Sequence, residues 1–181
     1  MRNSKFKNVA GMAATLLMFT ACSPALNWRE IRPADSGALA LFPCKPDRFS
    51  RSVVLGGEKL QMVLNSCAAD GATYALSHAL LTNKAQVNAA LQAMQAAAAS
   101  NLGGTALVIA PLVVPGMAAN ALTQRWAVQG KLGSDKNDNS VVKQEFAVFS
   151  RGLRVYQATV LGKTLDAAAA DTFFSSLQLT P

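Results

Sequence analysis

Few side chains in this sequence could carry out chemistry. His78 is the single histidine, so it is the one imidazole that could activate a serine, as in a hydrolase. No Gly-x-Ser-x-Gly turn presents such a serine, no phosphate-binding glycine loop is present, and zinc needs several His or Cys ligands. We therefore expect no catalytic activity, metal or cofactor, and a partly buried His78 whose ring nitrogens are hydrogen-bonded. A hydrolase that uses His78 is the less favoured alternative.

Basic residues are concentrated in one part of the chain, at Lys45, Arg48, Arg51 and Lys59. Such a group attracts anions or an acidic partner surface by ordinary charge attraction. The favoured interpretation is a solvated sheet edge that charge keeps from pairing with another strand. Trp28 has two interpretations as well, because it either packs on the domain or marks a partner contact.

The N-terminus has the pattern of a secretory leader. Basic residues in the first seven positions precede an apolar segment from Val9 to Phe19, which is shorter than the roughly 20 residues that span a membrane. The following Phe19-Thr20-Ala21-Cys22 resembles the lipobox of bacterial lipoproteins, with Phe where Leu is usual. The resemblance implies that residues 1–21 are removed and that Cys22 receives palmitate-type acyl chains.

A lipidated Cys22 would anchor the protein in a membrane, since more than one acyl chain gives stable attachment. Ser23 at the second mature position implies, again by resemblance, the outer membrane and a surface that faces the periplasm. The alternative is ordinary cleavage after Ala25, which would release a soluble periplasmic protein. Without residues 1–21 the chain has 14 basic and 10 acidic residues, a balance that does not indicate nucleic-acid binding.

Two cysteines remain if Cys22 is lipidated. Cys44 and Cys67 form an even pair in a chain addressed to an oxidising compartment, so we expect a disulfide between them. Free buried thiols are the alternative. A redox site is a further one, although it would be unusual without a Cys-x-x-Cys motif.

The mature chain is expected to form a tether, residues 22–37, and one domain, residues 38–181. Residues 52–55 and 59–64 predict a hairpin around Gly56-Gly57, and apolar spacing predicts a helix over 83–101. A charge-free segment follows, in which we expect a buried strand at 105–110. Its prolines and glycines argue against a membrane span.

The order of these elements predicts an α+β fold, an antiparallel β-sheet flanked by two main helices. Residues 38–179 resemble the PsbP-like fold. The resemblance rests on the motif Phe42-Pro43-x-x-Pro46, the strand through Thr73–Ser77, the first helix, the strand at Arg154–Gln157 and the helix that contains Phe173. Proteins of that fold include a photosystem accessory subunit and a Ran-binding transport factor. The resemblance implies a binding or assembly role and assigns no functional residue.

We therefore expect a non-catalytic, periplasm-facing lipoprotein that serves as an accessory or binding module of the bacterial cell envelope, with an envelope protein as a possible partner. The alternative is a soluble periplasmic carrier of a small apolar ligand held between helix and sheet.

Overall fold

The structure, a computed structural model, describes residues 26–132 and 140–180. The predicted leader, Cys22 and the start of the predicted tether lie outside the described residues. The described chain forms ten strands: β1 (Arg29–Ile31), β2 (Ala38–Phe42), β3 (Asp47–Leu55), β4 (Glu58–Ala69), β5 (Ala72–Leu80), β6 (Leu107–Pro111), β7 (Gln124–Lys131), β8 (Val141–Arg151), β9 (Arg154–Gly162) and β10 (Gln178–Leu179). Its two α-helices are α1 (Val87–Leu102), preceded by a 3₁₀ turn at Lys84–Gln86, and α2 (Ala167–Ser175).

The strands form two antiparallel sheets. The large sheet has seven strands in the order β3-β4-β5-β9-β8-β7-β6, and the small sheet has three in the order β1-β2-β10. The small sheet begins within the predicted tether, because Arg29 pairs with Phe42. Strand β1, at Arg29–Ile31, is therefore part of the folded domain.

The α+β prediction was wrong, because the described chain is mostly β. Strand β3 starts at Asp47 and β4 continues to Ala69, well beyond the predicted hairpin. The added part of β3 is solvent-exposed, so it lacks the alternation of apolar and polar residues that indicates a strand. The closing helix α2 has nine residues and contributes little helix.

Each face of the large sheet has its own apolar core, because successive side chains of a strand point to opposite faces. On one face, residues such as Tyr74 and Tyr156 pack against β2 and α2. We call this face the α2 face. On the other face, Ala79, Val148 and Val155 pack against α1. We call it the α1 face.

Local sequence explains where the first helical segment begins and ends. The Asn83 side chain accepts a hydrogen bond from the backbone N–H of Ala85 at 2.9 Å, which satisfies a donor that the first turn leaves free. Gly103 ends α1 in the left-handed conformation, at φ 63°, which glycine adopts without strain. The predicted helix is confirmed in its position, but its first turn is 3₁₀ and the α-helix itself extends from Val87 to Leu102.

Strand β6 lies at the edge of the large sheet and is exposed, not buried as predicted. Leu107 is 66% exposed, Val108 53% and Ile109 47%. The strand pairs with β7 on one side and is last in the strand order. Apolar composition indicates that a segment is a strand, but it does not indicate the strand's place in the sheet.

Candidate functional site

The candidate site is a groove on the α1 face of the large sheet. Helix α1 crosses this face obliquely, since its N-terminal turn lies against Gly56, between β3 and β4, and its last residue, Leu102, lies against Gly130 in β7. The crossing leaves one corner of the sheet uncovered. A groove of about 530 Å³ lies there, between α1 and strands β3, β4, β5 and β9. Its volume falls within the range of about 300–1,000 Å³ that is common for small-molecule sites.

The walls of the groove are largely apolar. Side chains of α1 form one wall, and side chains of β3 and β4 form the other. Their apolar residues are Met94, Ala97, Ala98 and Leu102 on the helix and Phe49, Val53, Leu55, Met62 and Leu64 on the strands, and their polar residues are Ser50, Arg51 and Asn101. Facing apolar walls favour a ligand with apolar surface, because each methylene removed from water contributes about 0.8 kcal/mol.

The floor of the groove is polar, and the sequence analysis missed it. It consists of hydroxyl and amide side chains on four neighbouring strands, namely Ser66, Thr73, Ser77, Gln144, Gln157 and Thr159. The Ser77 hydroxyl donates to the Gln157 carbonyl at 3.4 Å, and the Gln157 amide donates to the Thr159 hydroxyl at 3.2 Å. The floor therefore retains lone pairs and hydrogens that can bond to a ligand.

A sequence signal for this floor exists in β9. Gln157 and Thr159 lie between Val155 and Leu161 on the same side of the strand, where a core strand is expected to have apolar residues throughout. Polar residues on the inward side indicate a surface that a helix does not cover. The groove also depends on the angle at which α1 crosses the sheet, and the spacing of apolar residues in the sequence does not determine that angle.

Among the residues that the structure describes, one cation lies at the groove. Arg51 is on the groove side of β3, opposite Met62 in β4. It is exposed, and no ion pair joins it to another part of the chain that the structure describes. The groove thus combines apolar contact, hydrogen bonds and one positive charge, which is the chemistry of binding.

The structure does not bring the four predicted basic residues together. Arg48 lies on the opposite face of β3 from Arg51, where its guanidinium is 3.4 Å from Asp35. Lys45 precedes β3, whereas Lys59 pairs with Val54 near the other end of that strand. Lys45 and Lys59 therefore lie near opposite ends of β3, which spans about 24 Å from Asp47 to Val54 at ~3.4 Å per residue.

The predicted disulfide between Cys44 and Cys67 is confirmed. The bond joins the loop after β2 to β4, and the two Cα atoms are 6.0 Å apart. Cys67 belongs to the core on the α2 face, away from the groove. The disulfide therefore attaches the small sheet to the large one and takes no direct part in the site.

Trp28 packs on the domain near the disulfide. Its ring meets the Tyr74 ring edge to face, with centroids 6.0 Å apart, and half-buried Trp28 joins the core on the α2 face. It is not among the residues that line the groove. Cys22 lies outside the described residues, so its lipidation stays a prediction.

His78 is buried on the α2 face, with 4% of its surface exposed. Its ring lies beside that of Tyr156, with centroids 6.4 Å apart, and Tyr156 donates to the Ser36 carbonyl at 2.6 Å. Contrary to expectation, one ring nitrogen, Nδ1, has no hydrogen-bond partner among the residues that the structure describes.

Burial lowers the pKa of His78 from 6.5 to about 4, with smaller contributions from Arg154 and Arg48, while Asp35 opposes them. Burial acts in this direction because the charged imidazolium loses its hydration. The ring is therefore neutral at neutral pH. His78 also lies on the opposite face of the sheet from the groove.

Within residues 26–132 and 140–180, no helix has the length and apolarity to cross a bilayer. In the same ranges, no three His, Cys, Asp or Glu residues are grouped so that they could hold a metal ion.

Comparison with protein families and with curated proteins gives no match. No protein-family model matches the chain, and no curated protein matches it significantly. The resemblance to the PsbP-like fold therefore stays a prediction made from the sequence.

Proposed function

We propose that this protein is a non-catalytic binding module of the bacterial cell envelope, anchored by acyl chains on Cys22 to the outer membrane and facing the periplasm. The observation that carries the binding role is the groove between α1 and the large sheet, with apolar walls, a polar floor and Arg51 beside it. The lipobox-like residues Phe19–Cys22 support the anchor.

The Cys44–Cys67 disulfide supports an envelope location. Disulfides form and persist in oxidising compartments such as the periplasm and are rare in the reducing cytosol. The cross-link also suits a protein that works outside the cell's reducing systems.

A soluble periplasmic carrier is the second candidate. The same groove supports it, and the small residues Ser23-Pro24-Ala25 offer a site for ordinary signal peptidase. The two candidates share the ligand site and differ in the anchor. They therefore make different predictions about the mass of the mature N-terminus.

The anchor is tested by intact mass spectrometry of the native protein after the membrane and soluble fractions are separated. We expect a chain that begins at Cys22 and carries acyl mass on that residue, in the outer-membrane fraction. The contrary result is a soluble chain that begins at Leu26 and has no added lipid. That result would replace the anchored module by the carrier.

The binding site is tested with a variant that fills the groove. Ala97 is exposed on α1 and lines the groove, whereas its neighbour Ala96 is exposed on α1 and does not. We expect Ala97→Trp to weaken binding of a fluorescent apolar probe about tenfold, a loss of about 1.4 kcal/mol, and Ala96→Trp to leave it unchanged. Equal probe binding by both variants and the parent chain would refute the groove as the site.

A further inference from the structure

Among the described residues that line the groove, Arg51 carries the only charge. A guanidinium is always protonated and offers a planar set of donors that fits a carboxylate. No acidic side chain within residues 26–132 and 140–180 forms an ion pair with it, because the ion pairs in those ranges involve other basic residues. A ligand that brings one negative charge to this position would complement the site.

The apolar walls give the ligand its second property. On α1, the wall extends from Met94 to Leu102, a distance of about 12 Å at ~1.5 Å per residue. The facing wall contains Phe49, Met62 and Leu64 on the two strands nearest Arg51. A single alkyl chain that lies along the helix would bury its methylenes between these walls.

The polar floor argues against a pure hydrocarbon. Ser77 and Gln144 are buried beneath the groove, and a hydrocarbon laid over such groups would leave their remaining hydrogen-bonding capacity unused. An amphiphile, whose polar end can bond to the floor and to bound water, avoids this cost.

We propose that the groove binds a fatty acid anion of about twelve carbons, with its alkyl chain between α1 and strands β3 and β4 and its carboxylate at Arg51. This inference rests on the proposed function, since it names the ligand of the same groove. It adds the sign of the charge and the residue that recognises it.

The test measures affinity for two ligands with the same chain and opposite charge. The protein is the mature chain, residues 22–181, exported behind a leader for soluble proteins with Cys22→Ser so that no detergent is needed. Its cooperative unfolding and intact disulfide serve as controls for folding. Dodecanoate and dodecyltrimethylammonium are titrated below micelle-forming concentrations by calorimetry. We expect the anion to bind about tenfold more tightly than the cation.

Variants assign the preference to one side chain. Arg51→Gln is expected to weaken dodecanoate binding about three- to tenfold, in the range of a charge-assisted contact near the surface. Arg48→Gln removes the same charge from the opposite face of the same strand and is expected to change the affinity less than twofold. Equal losses in the two variants would overturn the proposal, because a general field effect would then explain the preference.

The groove-filling variant separates failure of this inference from failure of the proposed function. If Ala97→Trp weakens both ligands and Arg51→Gln weakens neither, the groove is the binding site and the fatty acid assignment is wrong. If Ala97→Trp leaves both affinities unchanged, binding takes place elsewhere and both proposals are wrong.

Discussion

Acidification should destabilise this protein through His78. The ring is 4% exposed on the α2 face, and its pKa is lowered from 6.5 to about 4. In the unfolded chain the same group regains a pKa near 6.5. Between these two values the unfolded state therefore binds more protons than the folded state, so stability decreases as the pH falls.

The magnitude follows from the difference between the two pKa values. At about 1.4 kcal/mol per pH unit, His78 should cost about 1 kcal/mol of unfolding free energy between pH 7 and pH 5.5. By pH 4 the cost should reach about 3 kcal/mol. Above the unfolded-state value the ring is neutral in both states and the contribution is constant.

The assay is urea denaturation of the parent protein and of His78→Gln at several pH values from 7 to 4. Gln keeps a polar side chain but does not titrate, and the carboxylates that titrate in this range are common to both proteins. We expect the parent to lose about 3 kcal/mol more than the variant over the range. Parallel loss of stability in the two proteins would refute the argument that burial holds His78 neutral.

Three further changes test the structure directly. Replacing Cys44 and Cys67 by Ser should lower the unfolding free energy by about 3 kcal/mol, because a cross-link between residues 23 apart no longer restricts the unfolded chain. Denaturation of the parent with and without reductant checks this, and a parent whose stability does not change with reductant would contradict it. Arg125→Gln should cost about 2–3 kcal/mol, since the Arg125 side chain is 13% exposed and its guanidinium bonds Glu145 and Asp171 and lies 4.6 Å from the centroid of the Phe174 ring. Arg32→Gln, in a pair more than half exposed, should cost under about 0.5 kcal/mol, and equal losses in the two variants would count against this account. Gly130→Ala should lower the unfolding free energy by about 2 kcal/mol or more, because a Cβ there would overlap the carbonyl of Leu102, the last residue of α1. A melting temperature equal to that of the parent would show that α1 does not approach β7 so closely.

Features that depend on short stretches of sequence could be predicted. The turn at Gly56-Gly57 has positive φ at both glycines, as the predicted hairpin requires. The start of the 3₁₀ turn after Asn83 and the end of α1 at Gly103 follow from capping chemistry. In each case the signal lies within a few residues of the element that it specifies.

The fold class could not be derived in the same way. Much of β3 is polar because it is an edge strand with exposed faces, and an exposed strand has no apolar period to detect. Strand β6 gave the opposite error, since its apolar residues indicated burial although the strand lies at the other edge. Both errors concern position within the sheet, which depends on pairing between distant segments.

The arrangement of the basic residues was partly predictable. Arg48 and Arg51 are an odd number of residues apart, so a continuous strand must place them on opposite faces. A strand predicted to begin only at Ser52 does not include either residue, so this constraint does not apply to it. The pairing of Arg51 with the groove depends in addition on how α1 crosses the sheet, which is a matter of tertiary packing.

The exposed edge of the large sheet has a consequence for the protein at high concentration. The side chains of Leu107, Val108 and Ile109 expose apolar surface there. However, Pro111 has no N–H to donate, and a bulge between Val108 and Ala110 interrupts the regular hydrogen-bond ladder. Ordered stacking of one molecule's edge on another's is thereby obstructed, while nonspecific attraction persists. We expect concentrated solutions to become turbid through amorphous, sulfate-promoted clusters and to form no fibrils.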